Sequence, residues 1–202
     1  MIVLLRHGQT CGNVSKANYI DVDENEMILT ERGNNEMLGL ATTLQQLDIP
    51  VSRVLLAPER RCRDSALLLG LPAEASEVDE RLRSQSWGSL TFPGVRETLT
   101  RSKSWPSGLD VRFPDGETAR EVLERCRPVA DELRTRELTE PGMLHAVVTH
   151  GVIIKLLLAQ WLSWSDTQIE ATPSIAIGTG LMITFSAAER AVAVHYELLV
   201  PA

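Results

Sequence analysis

The chain lacks the cysteine pairs from which metal sites and disulfide frameworks are made. Its three cysteines, Cys11, Cys62 and Cys126, are odd in number and far apart, with no C-x-x-C or Cys/His spacing. The expectation is therefore reduced thiols in a cytoplasmic protein, and no metal or other cofactor. An excess of basic residues is also missing: 20 Lys+Arg against 27 Asp+Glu leave a formal charge of −7. That disfavours nucleic acid and anionic membrane surfaces as partners, so an anion site has to be a local cluster of arginines. The chain opens with no basic segment ahead of an apolar one, so no signal peptide is expected. The longest apolar stretch, Val147 to Trp161, is broken by His150 and Lys155 and reads as a strand and a helix, not a membrane span. Internal repeats and low-complexity runs are absent. At 202 residues, with 44% apolar and 23% charged content, the chain suits one globular domain over 1–202, not two large ones.

What is present alternates between strand and helix patterns. Ile2 to Leu5 is a short aliphatic run that reads as a buried strand. A turn or short helix over Thr10 to Ala17 and a solvated acidic loop over Asp21 to Glu26 follow it. A helix opens near Thr30 and runs to about Leu47, with Leu38, Leu40, Ala41, Leu44 and Leu47 as its expected apolar face and Pro50 beyond its end. Next come a strand over Val51 to Leu56 and a helix over Glu59 to Leu69. Asp79 to Gly94 is irregular, Val95 to Trp105 is weakly amphipathic, and Pro106 to Gly116 is another loop. A charged helix over Glu117 to Leu138, a strand over Leu144 to Thr149 and a helix over Val152 to Trp161 complete the alternation. Closing strands over Leu181 to Phe185 and Ala191 to Leu199 flank a turn at Ala187 to Arg190. This order predicts an α/β three-layer sandwich, with a mainly parallel central sheet, helices on both faces and a small cap insertion at about 84–116.

In such sheets ligands bind beyond the carboxyl ends of the strands. Arg6-His7-Gly8 follows the first strand, Arg61 the second, and His150-Gly151 the third. An isolated histidine in this position does no more than cap a strand, but convergence of His7 with His150 makes a site. Two histidines and two arginines without a metal motif suggest phosphoryl transfer through a phosphohistidine. A guanidinium matches phosphate oxygens bidentately, and neighbouring cations keep an imidazole neutral and hence nucleophilic. The same cations then stabilise the charge on the transferring group.

These residues resemble a known family. Arg6-His7-Gly8-Gln9-Thr10 with Asn13 is similar to the R-H-G-x-T-x-x-N signature of the histidine phosphatase superfamily, the phosphoglycerate mutase-like proteins. Ala57 to Ala66 resembles its S-P-x-x-R-A-x-x-T-A segment, Phe113 to Thr118 its F-P-x-G-E-S element, and Val147 to Gly151 its V-x-H-G element. The resemblance implies that His7 is the phosphorylated nucleophile. It implies that Arg6, Arg61 and His150 bind and polarise the phosphate, with Thr10, Asn13 and the Gly151 backbone completing the pocket. Arg60 and Arg63 are expected to face solvent.

The chain departs from the family pattern at one position. The usual general acid is a Glu in L-x-E-x-x-x-G, and Leu82 to Gly88 places Ser84 there. Losing a positioned acid removes on the order of 10²–10⁴ in rate, most for alkoxide leaving groups. Glu117, Asp115 or Glu80, or a water held by Ser84, could substitute; Glu117 is the preferred acid, although a first-turn carboxylate also stabilises a helix N-terminus. Ser84→Glu is expected to raise activity on alkyl phosphates more than on aryl ones. The leading expectation is a phosphatase for a small phosphomonoester, phosphohistidine or acyl phosphate. The alternative is a phosphate-binding member that turns over weakly, and a mutase is least favoured because the cap is short. Trp87, Phe92 and Trp105 with Arg96, Arg101, Lys103 and Arg112 furnish that cap. The sequence leaves substrate identity and oligomeric state open.

Overall fold

The computed structural model describes residues 1–15, 27–90, 94–95, 97–98, 108–188 and 191–201. The acidic loop over 21–26, and Phe92, Arg96, Arg101, Lys103 and Trp105 of the expected cap, lie outside them. Among the described residues six strands form one sheet: β1 (Ile2–Arg6), β2 (Val51–Leu56), β3 (Ser76–Val78), β4 (Leu144–Thr149), β5 (Gly180–Ala188) and β6 (Ala191–Leu199), in the order β3-β2-β4-β1-β5-β6. β3, β2, β4 and β1 run parallel, and β5 and β6 add antiparallel at one edge. Every residue of β4 is buried, as are Ile2 to Leu5 of β1. Such runs need cover on both faces, which explains why Ile2 to Leu5 is aliphatic throughout and β4 is aliphatic but for His145 and Thr149, instead of alternating.

The helices provide that cover. α1 (Cys11–Ser15), α2 (Glu31–Gln45) and α3 (Arg60–Leu68) precede α4 (Ala119–Thr139), α5 (Gly151–Trp161) and α6 (Asp166–Ala171). α2 packs with α3, and α4 with α5. Thr30 caps α2 by accepting from the Gly33 amide, and Thr118 and Glu121 close a capping box on α4. α2 buries Gly33, Met37, Leu40, Ala41 and Leu44, a strict helical spacing. Leu38, expected on that face, is 50% exposed because it falls about 100° around the helix from Met37.

Three parts of the fold escaped the sequence patterns. β3 is three residues long with Val78 half exposed, too short for an alternation to register. α6 is a single capped turn and a half between loops. β5 continues three residues past Phe185 because its pairing with β6 persists to Ala188↔Ala191. Within the expected cap, Val95 and Phe113 are buried together against Trp87, Leu90 and Val111, a cluster separate from the main core.

Parallel pairing fixes where the site lies. Arg6 pairs with Thr149, and Leu56 with Val148, so β1, β4 and β2 end at one edge with their following loops side by side.

Candidate active site

His7, the first residue beyond β1, is 4% exposed. Its Nδ1 lies 2.8 Å from the Gly8 carbonyl oxygen. A carbonyl only accepts, so Nδ1 carries the proton and the neutral ring keeps its lone pair on Nε2. Burial holds the His7 pKa well below the usual histidine value, helped by the charges of His150, Arg61 and Arg6, against the Gly8 hydrogen bond. The buried imidazole is therefore neutral at pH 7.

His150 follows β4 and starts α5, and its ring stands 5.2 Å from that of His7, centroid to centroid, at 65°. Arg61, in the first turn of α3, is 3% exposed, and one guanidinium nitrogen contacts the Met27 sulfur at 3.8 Å. The neighbouring Arg60 and Arg63 are exposed, as expected. Arg6 donates from Nη1 to the Ile175 carbonyl at 2.5 Å. Gly151 makes room for this arginine: a Cβ there would stand 2.8 Å from Arg6 Nη1. Gly8 passes so close to α2 that a Cβ would stand 2.5 Å from the Gly33 oxygen. Ser65 ties the two sides together, accepting from the Gly8 amide at 3.1 Å and donating to the Arg61 carbonyl at 2.7 Å.

Thr10 and Asn13 hold each other. Asn13 Oδ1 accepts from the Thr10 amide at 2.9 Å and from its hydroxyl at 3.0 Å, which sets the start of α1. Cys11 beside them is half-buried, more open than a core cysteine.

Two acidic residues behave differently from one another. Glu117 accepts from Arg83, from Arg125 at 3.1 Å and from the Ser86 amide at 3.1 Å. Burial would raise its pKa, but the Arg125 and Ser86 hydrogen bonds and the charges of Arg125 and Arg83 lower it. It pins the 83–86 segment to the mouth of α4, and its described contacts include neither His7 nor His150. Glu59, which sequence reasoning missed, is at the site. It is the N-cap residue of α3, yet its side chain makes no capping bond to that helix. Instead Oε2 lies 2.8 Å from His150 Nε2, Oε1 accepts from the Ser84 amide at 2.6 Å, and Arg61 Nη2 is 3.9 Å away. Burial would raise the carboxyl pKa, but the His150 bond and charge, the Ser84 amide and Arg61 bring it down to about 2. The only sequence signal was a carboxylate two positions before Arg61, which any helix N-terminus tolerates.

Among the described residues, one group could hold a metal: Glu59, Cys62 and His150, whose donor atoms lie within 4.8 Å of one another. The 2.8 Å separation of Oε2 and Nε2 is that of a hydrogen bond, whereas two ligands on one tetrahedral zinc stand about 3.3 Å apart. These donors fit each other without an ion.

A buried neutral histidine, a second histidine and two arginines at the carboxyl edge of a parallel sheet define an α/β enzyme of the phosphoryl-transfer class. The chain belongs to the histidine phosphatase superfamily (branch 1), whose family model matches residues 2–193. It is 29% identical over 182 residues to an acid phosphatase of Mycobacterium tuberculosis, spanning 88% of this chain and 84% of that one. It is 22% identical to the phosphoglycerate mutase-like protein AT74H of Arabidopsis thaliana, over 84% of this chain and 68% of that protein. With a second plant protein, AT74, the identity is 26% over 84% of this chain and 60% of the other. The fold matches that of a mycobacterial glucosyl-3-phosphoglycerate phosphatase solved with VO3, at a TM-score of 0.77 and 24% identity, covering 100% and 98% of the two chains. Among the described residues no helix is long and apolar enough to cross a membrane.

Proposed function

We propose that this protein hydrolyses a small phosphomonoester, phosphohistidine or acyl phosphate through a phosphohistidine on His7. The observation that carries this reading is the buried, neutral His7 with its lone pair directed to Nε2, beside His150, Arg61 and Arg6. In the proposed first step Nε2 attacks phosphorus in line with the leaving oxygen. Arg6, Arg61 and His150 take the negative charge on the phosphoryl oxygens. Thr10, Asn13 and the Gly151 backbone complete the pocket, Thr10 and Asn13 by fixing the loop after His7 and Gly151 by admitting the Arg6 guanidinium. Water then attacks the phosphohistidine and releases phosphate.

The reading treats 1–202 as one domain with a small cap at about 84–116, acting in the cytoplasm on a small substrate and not on nucleic acid or membranes. The family match over most of the chain and the separate Val95–Phe113 cluster support it. A short cap suits hydrolysis, because a mutase has to exclude water while it holds a bisphosphate. Ser84 favours a second reading, in which the site binds phosphate but turns over weakly.

Trapping decides between them. The protein is incubated with an aryl phosphate whose leaving phenol has a pKa of about 10 or below, quenched and digested. Phosphate on His7, with turnover abolished by His7→Ala, is the expected result. Absence of both turnover and phosphohistidine overturns the enzyme reading.

A further inference from the structure

The Glu59 carboxylate lies inside the pocket without a part in the reaction as described so far. We propose, resting on the phosphohistidine reading of His7, that Glu59 carries the proton of this reaction, supplying from α3 the carboxylate missing at residue 84.

Position is the first reason. Oε1 hydrogen-bonds the backbone N–H of Ser84 itself, so the two chain segments meet where the family pattern has its acid. The 81–84 segment is held for this contact: Arg125 donates to the Arg81, Arg83 and Ser84 carbonyls at 2.5, 2.9 and 3.1 Å, and Thr149 Oγ1 donates to the Leu82 carbonyl at 2.8 Å. Orientation is the second. An N-cap carboxylate that served its helix would accept from that helix's amides, and this one turns away from α3 into the pocket. Its side chain is 10% exposed, a costly place for a carboxylate serving only as surface charge.

Proton location is the third. An Oε2–Nε2 separation of 2.8 Å requires a proton between Glu59 and His150. Before substrate binds, that proton belongs to the histidine side, because His150, the Ser84 amide and Arg61 favour the ionised carboxyl. An incoming phosphate adds negative charge and competes for Arg61 and His150. Both effects raise the proton affinity of Glu59, and a phosphomonoester that binds as its monoanion brings the proton that Glu59 takes up, so substrate binding itself arms the acid.

The chemistry then balances. His7 Nε2 bonds to phosphorus while the bond from phosphorus to the ester oxygen breaks, and that oxygen keeps the electron pair and takes the Glu59 proton. Glu59, now a carboxylate, takes a proton from the attacking water as its oxygen bonds to phosphorus. The P–N bond breaks, its pair returns to Nε2, and Glu59 ends protonated, as it stood once substrate had bound. The net change is ester plus water to alcohol plus inorganic phosphate. The expected gain from Ser84→Glu presumed an empty seat. With Glu59 in it, Ser84→Glu alone adds a second carboxylate to a buried site and lowers activity.

Glu59→Gln, Glu59→Asp and Glu59→Gln/Ser84→Glu are assayed with an alkyl and an aryl phosphate, with wild type trapped as phosphohistidine in parallel. In Glu59→Gln, kcat/KM on the alkyl ester falls by about 10²-fold or more, and aryl turnover falls about tenfold less. The double variant recovers alkyl activity, and the alkyl-to-aryl ratio falls in Glu59→Asp too, which keeps the charge should the amide impair folding. Wild-type phosphohistidine with an alkyl-to-aryl ratio unmoved in both single variants overturns this inference alone. No phosphohistidine in wild type removes the reading beneath it as well.

Discussion

The amide of Gly8 donates to the hydroxyl of Ser65 at 3.1 Å, joining the loop that carries His7 to the helix that carries Arg61. Because the same hydroxyl donates to the Arg61 carbonyl at 2.7 Å, the proposed nucleophile and the proposed phosphate-binding guanidinium are held in one frame. Ser65→Ala leaves the buried Gly8 amide without this acceptor, a loss of about 1–3 kcal/mol. We expect denaturant unfolding to show that loss, and inorganic phosphate to bind about tenfold more weakly, measured by inhibition.

Gly151→Ala separates stability from function. Alanine in a helical turn is favoured over glycine by about 0.5–1 kcal/mol, but its Cβ would stand 2.8 Å from Arg6 Nη1. The guanidinium has to leave the Ile175 carbonyl and the pocket. The expected outcome is a melting temperature close to wild type with KM raised about tenfold. An unchanged KM would show that Arg6 does not contact the phosphate.

His7 carries a pH signature. Its folded-state pKa is below the ordinary 6.5, so the unfolded chain binds the extra proton as pH falls through that value. Stability contributed by the neutral form is present above pH 6.5 and is lost as pH drops. His7→Asn, which keeps a donor for the Gly8 carbonyl, should lose less stability than wild type between pH 7 and 5 in urea titrations, while losing turnover.

Lys155 gives the opposite end of the scale. It is 2% exposed, donates to the Thr172 carbonyl at 3.0 Å, and burial pulls its pKa from 10.5 to about 8 against the charge of Glu170. Between those values the unfolded chain holds the proton and the folded one releases it, so stability rises with pH. Lys155→Met should remove that rise, worth up to about 3 kcal/mol across the window. Parallel slopes for the two proteins would refute the assignment.

Much of this was readable in one dimension, and for a definite reason. A strand buried on both faces is rich in aliphatic residues, so Ile2 to Leu5 and the Ala146 to Val148 centre of β4 announce themselves, and polar residues follow each run at one edge of the sheet. Arg61 could be told from Arg60 and Arg63 only through the family motif, since helical spacing alone does not say which of three near neighbours turns inward. Leu38 shows the same ambiguity from the apolar side: hydrophobicity placed it in the core, and a 100° rotation past Met37 placed it in solvent. Glu117 is the substitute acid expected from its place at a helix opening, and the fold engages its carboxylate with Arg83 and Arg125, contacts that no local pattern announces.

By itself the sequence determined the alternation of elements, the mainly parallel sheet and the placing of His7, Arg6, Arg61 and His150 beyond strand ends at one edge, because periodicity and motif order are local properties of the chain. Only the tertiary structure decided which carboxylate stands in that pocket. Glu59 and Ser84 are 25 residues apart in the chain and 2.6 Å apart in space. Their contact depends on parallel strands delivering two loops to one edge, and no local pattern encodes where a helix-capping residue turns its side chain.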